Sequence, residues 1–222
     1  MFFADALSTL LSSMSLATAL IGVAMSLTQP HNKALFRILG AFFAAIAATE
    51  LGDAIGQSVA YLSIQVLLEA LWIIGATAAL PLLWLYIWRL THDRPSWPSR
   101  LWTHAILPAF SILLFVSVFT LPTADQHALF TDIDGSLSNQ GYAFGFVYEV
   151  FALFIVTIQW LFYLVLSSVR LIRYRLRLKD VFASTEDKEL RWTLAIVGLS
   201  GTYWFLGFAF LLLEVFGIYE SS

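Results

Sequence analysis

The chain contains no cysteine, which excludes a disulfide framework, thiolate metal sites and cysteine nucleophiles and leaves the redox compartment open. Charge is scarce as well. Only 12% of the 222 residues are Asp, Glu, Lys or Arg, whereas a soluble domain needs roughly a quarter of its residues charged to cover its surface. An ordinary water-soluble globule is therefore excluded. No Ser-His-Asp set, HExxH helix, phosphate loop or dinucleotide fingerprint occurs, so an enzyme is the least favoured class and no cofactor is expected. There is no internal repeat, lipidation motif or low-complexity tract. Residues 1–7 carry Asp5 and no base, so they lack the positive segment of a cleavable secretory signal. The first apolar span is expected to be retained.

What the chain has is apolar length. Hydrophobic residues make up 59% of it, and the mean hydropathy is +0.80. A helix needs about 20 mostly apolar residues to cross a bilayer, and six stretches qualify: 6–28, 35–56, 62–89, 101–121, 142–168 and 192–216. The expected fold is an all-α polytopic membrane bundle of six transmembrane helices, forming one domain over 1–222 with no soluble module. The second span, running through Gly52, Asp53 and Gly56, is the least apolar of the six.

The bases are confined to alternate loops. Lys33 and Arg37 follow the first span; Arg89, Arg94 and Arg100 follow the third; Arg170, Arg173, Arg175, Arg177, Lys179, Lys188 and Arg191 follow the fifth, which accounts for all 12. Lys and Arg accumulate in cytoplasmic loops, so these loops face inward and both termini outward. Of the 15 acids, only Asp93, Asp180, Glu186, Asp187 and Glu189 share the inner side. The expected location is a bacterial cytoplasmic membrane, crossed several times.

The fifth span continues into Arg170-Leu-Ile-Arg-Tyr-Arg-Leu-Arg-Leu-Lys179, with Arg170, Arg173 and Arg177 on one helical face and Leu171, Tyr174 and Leu178 on another. Such a stripe lies against anionic headgroups at about 1 kcal/mol per charge. It carries no nucleic-acid reading motif, so direct nucleic-acid binding by this chain is not expected. Ser184 followed by Asp187 resembles a capping box, with Glu186, Asp187 and Glu189 at the positive end of a new helix that passes through Trp192 into the sixth span.

The run Asp180-x-Phe182-x-Ser184-x-Glu186-x-x-x-Leu190-Arg191-Trp192 resembles a segment in the multispan N-terminal regions of bacterial AraC-type transcriptional regulators. Pro81-Leu-Leu-Trp-Leu-Tyr-Ile-Trp-Arg89 followed by His104-Ala-Ile-Leu-Pro108 is similar to the third-to-fourth helix junction of the same family. The resemblance covers about 75–200 and is only hydropathic before that. It implies a membrane region that senses a signal and passes it on; Phe182, Glu186, Leu190, Arg191 and Trp192 are the candidate relay residues of this chain. The sequence departs from the family by stopping at Ser222, short of a seventh span and of the helix-turn-helix domain. Transcriptional activity is therefore not carried over.

Carboxylates inside spans are costly and point to function. At about 1.5 Å per residue, Glu50, Glu69 and Glu149 each lie about 9–10 Å below the outer surface. Asp53 lies about one turn above Glu50. With every base on the inner side, these acids are left to protonation, hydration, hydrogen bonding or an external cation. Glu50, Asp53, Glu69, Tyr148 and Glu149 thus form a candidate ligand site in the outer leaflet. A metal could add His127 and Asp125; an organic amine could use Tyr148, Trp72 or Tyr61 as aromatic walls. The alternative is that each acid merely holds helices together.

Asp132-Ile-Asp134-Gly135 lacks the later acid of an EF-hand. His31, His92 and His104 have no metal-ligand spacing. Trp84, Trp88, Trp97, Trp102, Trp160 and Trp192 fit an inner aromatic belt, and Gly198, Ser200, Gly201 and Gly207 suit a close helix contact, including a dimer seam. Partners are therefore the lipid bilayer, a second copy or another membrane protein. Besides a sensor, the expectations include a small ion or proton transporter and a structural subunit.

Overall fold

A computed structural model describes residues 2–30, 32–55, 61–92, 97–130, 137–181, 194–202 and 205. Apart from short connections those residues are helical, and no strand occurs among them. Three long helices come first: α1 (Phe2–Thr28), α2 (Lys33–Ile55) and α3 (Leu62–Leu90). A 3₁₀ turn (Leu101–Ala105) leads into α4 (Ile106–Val118), and a short α5 (Thr123–Phe130) follows. The last long rod is α6 (Asn139–Glu149), a π-helical stretch (Val150–Val156) and α7 (Thr157–Val181) in unbroken succession. Among the described residues, five helical segments are long and apolar enough to cross a membrane: Thr9–Thr28, Lys33–Gly52, Leu62–Leu90, Leu101–Val118 and Asn139–Arg177. Within the sixth expected span the described residues 194–202 are helical. The relay residues Phe182, Glu186, Leu190, Arg191 and Trp192 lie outside the described residues.

α3 is apolar on every side, as a membrane span can be, and its packing makes it central. It buries residues all round its circumference, from Val66 and Ile73 to Leu83, Tyr86 and Ile87, and packs against α2, α4 and α7. Outward-facing side chains are apolar too. Leu11 and Ile21 on α1, Leu113 on α4, and Ile158 and Phe162 on α7 are all more than half exposed, an outer surface suited to hydrocarbon rather than water.

Close approach sets the α2–α3 crossing. A Cβ on Gly75 would stand 2.5 Å from the Ala45 carbonyl oxygen, so only glycine lets the two backbones meet there. Asn32 turns the chain between α1 and α2 at φ 51, a left-handed conformation that asparagine tolerates, and its carbonyl accepts from the Leu35 amide at 2.8 Å.

Pro81 interrupts α3 in its interior. It has no N–H to give the carbonyl four residues back, which is that of Thr77. Gln159 of α7 supplies the missing donor, Nε2 to the Thr77 oxygen at 2.8 Å. One residue on, the Trp160 indole donates to the Ala76 carbonyl at 2.8 Å. Backbone groups freed inside a bilayer must be satisfied by neighbours, and here the neighbour is α7. Pro108 causes no such loss, because it sits in the first turn of α4 where amides have no intrahelical acceptor.

Candidate functional site

The expected acidic residues do not form one pocket. Glu69 accepts a hydrogen bond from the Tyr148 hydroxyl, joining α3 to α6. Around this pair Val66, Ile73, Leu114, Phe130 and Phe144 close a niche of about 10 Å³, room for one water at most. Phe144 stacks on Tyr148 with ring centroids 6.0 Å apart. Glu149 is exposed and takes no part. Consecutive helical residues point about 100° apart, so Tyr148 facing α3 turns Glu149 away. The side chain of Asp53 lies outside the described residues.

Glu50 stands elsewhere, 8% exposed, in the wall of a cavity of about 620 Å³. Five segments build that wall: the middle of α1, the latter half of α2, Trp72 and Ala76 of α3, the rod from Ala152 to Trp160, and residues 196–200. The lining is apolar apart from Glu50 and a few hydroxyls, Thr49 among them, and four aromatic rings contribute: Phe42, Phe43, Trp72 and Trp160. Of the aromatic walls expected beside the acids, Trp72 lines this cavity, Tyr148 the small niche, and Tyr61 is exposed.

Asp125 is buried in the short helix α5, but its carboxylate is already committed. It accepts from the Ser138 amide at 2.8 Å and from the Ser138 hydroxyl. That hydroxyl also caps α6, accepting from the Gly141 amide at 3.2 Å. The Ser138 hydroxyl, then its amide, hold the Asp125 carboxyl below the usual carboxylate range, against the opposing effect of burial. This is a latch closing the segment between α5 and α6. Among the described residues no group of three or more His, Cys, Asp or Glu could hold a metal ion.

A third constellation lies at the basic end, where sequence reasoning saw scattered anchors. Trp84, Trp88 and His92 recur at intervals of four on α3 and share one face. Trp88 stacks on His92 with ring centroids 4.3 Å apart, and Trp84 meets His104 in a tilted pair at 4.3 Å. His104 Nδ1 is 2.5 Å from the Tyr163 hydroxyl of α7. Arg170 completes the group: its guanidinium lies over Trp88 at 3.9 Å, Nε donates to the Thr91 hydroxyl at 2.7 Å, and a terminal nitrogen meets His92 Nδ1. Thr91 is the C-cap of α3, so the cation docks where helix carbonyls concentrate negative potential.

Arg170 is thus half-buried against α3, whereas Arg173, Arg175 and Arg177 are exposed as a headgroup stripe requires. Trp84 and Trp160 are core residues rather than interfacial anchors; Trp97 and Trp102 are exposed, as a belt requires. The four-residue spacing on α3 was the available signal for this cluster. Pro81 was the signal for Gln159, since a proline inside a span leaves a carbonyl that a polar side chain must meet.

Compared with family models, with curated proteins and with solved structures, the chain finds no match. The likeness of its two junctions to AraC-type regulators therefore stands on the residues themselves.

Proposed function

We propose that this chain is a signal-sensing membrane module, threaded with its basic end toward the cytoplasm. The cavity beside Glu50 receives the signal and the connector after Arg170 reports it. One observation carries the reading: a single rod runs from α6 through the π-helical stretch into α7, touching the cavity with Ala152, Leu153, Val156 and Trp160 and gripping the end of α3 with Arg170. π-Helical turns concentrate at functional sites, and this one lies against the cavity wall.

A register change of one residue in that stretch turns the rest of the rod by about 100° and shifts it about 1.5 Å along its axis. Gln159, Trp160 and Arg170 would leave their α3 partners together. A ligand that packs better against one register than the other shifts the balance between them, and the difference appears at the connector. Residues Phe182, Glu186, Leu190, Arg191 and Trp192 are the relay in this proposal.

Transport is less well supported. An ion path needs polar groups at successive depths, and those beyond the cavity are tied into packing: Gln159 to the Thr77 carbonyl, and the Thr77 hydroxyl to that of Ser111 at 3.1 Å.

The test uses the absence of native cysteine, which lets cysteines introduced at Leu90 and Arg173 be spin-labelled alone. In nanodiscs the label pair should give two distance populations. Deleting Ala152, which removes the extra residue of the π stretch, should leave one. A single population unchanged by the deletion would refute the proposal.

A further inference from the structure

We infer that the cavity at Glu50 is a site for an organic ammonium ion with a hydrophobic body; this rests on the sensor reading above and names its ligand class. Volume comes first. At about 620 Å³ the space falls within the range that holds small organic ligands, whereas the niche at Glu69 admits none.

Charge comes next. Among the described residues of the wall, Glu50 is the only carboxylate, and none is Lys, Arg or His. An anion would meet a like charge there. A hard metal ion needs several oxygen ligands around it, and the wall offers one carboxylate, a few hydroxyls and hydrocarbon. A cation whose charge is spread over carbon matches what remains. Phe42, Phe43, Trp72 and Trp160 line the space with aromatic rings, groups whose faces attract ammonium ions, and such attraction strengthens away from water.

The Trp160 ring is also fixed in place. Its indole N–H is engaged by the Ala76 carbonyl, so its orientation is set before any ligand enters. Glu50, Trp72 and Trp160 bind the cation; the apolar remainder, from Met14 and Ile46 to Leu199, takes the hydrophobic body.

The ammonium could belong to a free amine or to a lipid headgroup, and the experiment separates them. The probe is benzyltrimethylammonium, with neopentylbenzene as its neutral isostere, measured by equilibrium dialysis against nanodiscs and corrected with empty discs. The ammonium should bind saturably, tighter than the isostere. Glu50→Gln should weaken it at least tenfold and leave the isostere unchanged, which also shows that the variant is folded. Trp72→Leu should weaken the ammonium several-fold. Equal affinity in phosphatidylglycerol and phosphatidylcholine discs supports a free amine; weaker binding in phosphatidylcholine supports a headgroup as the native occupant. If the isostere binds as well as the ammonium, or Glu50→Gln changes nothing, the ligand class is wrong and the cavity still stands as a site. If neither probe binds saturably, the cavity and the sensor reading fall together.

Discussion

Replacing Gln159 by leucine tests how α7 is held to α3. Gln159 Nε2 is the donor that satisfies the Thr77 carbonyl left open by Pro81, while its own Oε1 is buried without a hydrogen-bond partner. A buried acceptor deprived of its donor costs about 1–3 kcal/mol, and interhelical hydrogen bonds within membranes average about 0.6 kcal/mol. Leucine also removes the unpartnered Oε1, which offsets part of the loss. Gln159→Leu should therefore destabilise by about 1 kcal/mol. The decisive step is the second mutation. Pro81→Ala restores an amide that can bond the Thr77 carbonyl within α3, after which Gln159→Leu should cost nothing or stabilise slightly. The coupling between the two positions should be about 1–2 kcal/mol, read from unfolding free energies measured by steric trapping in bicelles. Additivity of the two mutations within about 0.5 kcal/mol would show that Gln159 does not complete the interrupted helix.

Three further outcomes follow from the same geometry. Because the Asp125 carboxyl is held below its ordinary range, its stabilisation is complete above the unfolded value of about 4 and is lost as pH falls through the lower folded value. Hydrogen exchange of the Ser138 and Gly141 amides, corrected for intrinsic rate, should stay slow down to about pH 4 and accelerate below it, and Asp125→Asn should abolish that dependence; a pH-independent rate in the native chain would refute the latch. Tyr148→Phe removes a donor to Glu69 and should destabilise by about 1 kcal/mol, whereas Glu149→Gln, at an exposed site, should change unfolding free energy by less than about 0.5 kcal/mol. Gly75→Leu cannot be accommodated beside the Ala45 carbonyl and should destabilise by about 1–3 kcal/mol or more; a neutral result would mean that α2 and α3 do not touch there.

Apolar length made the helices legible. The expected spans at 35–56 and 62–89 match α2 and α3 within a residue or two, and the helical continuation past Arg170 runs to Val181. α5 is not legible because the eight residues around Asp125 carry no apolar period, and the Ser138 latch and packing of Phe130 beside α3 hold them in place. Depth along the spans put Glu50, Glu69 and Glu149 at one expected level. Depth does not say which way a side chain faces: the azimuth of each helix sends Glu50 to the large cavity, Glu69 to Tyr148 and Glu149 outward. Arg170 looked like one more headgroup anchor because a run of like bases hides the one that turns inward. Its partners Trp88, Thr91 and His92 lie some eighty residues away in sequence, and only packing of α7 on α3 brings them together.

The measurement that bears most directly on the account is the distance between spin labels at residues 90 and 173, followed while benzyltrimethylammonium is titrated into nanodiscs. Occupation of the Glu50 cavity should shift the distribution toward one population, with the same midpoint as binding, and Glu50→Gln should move both midpoints together. A distribution that stays fixed while the cavity fills would contradict the claim that the rod from α6 to α7 carries a signal.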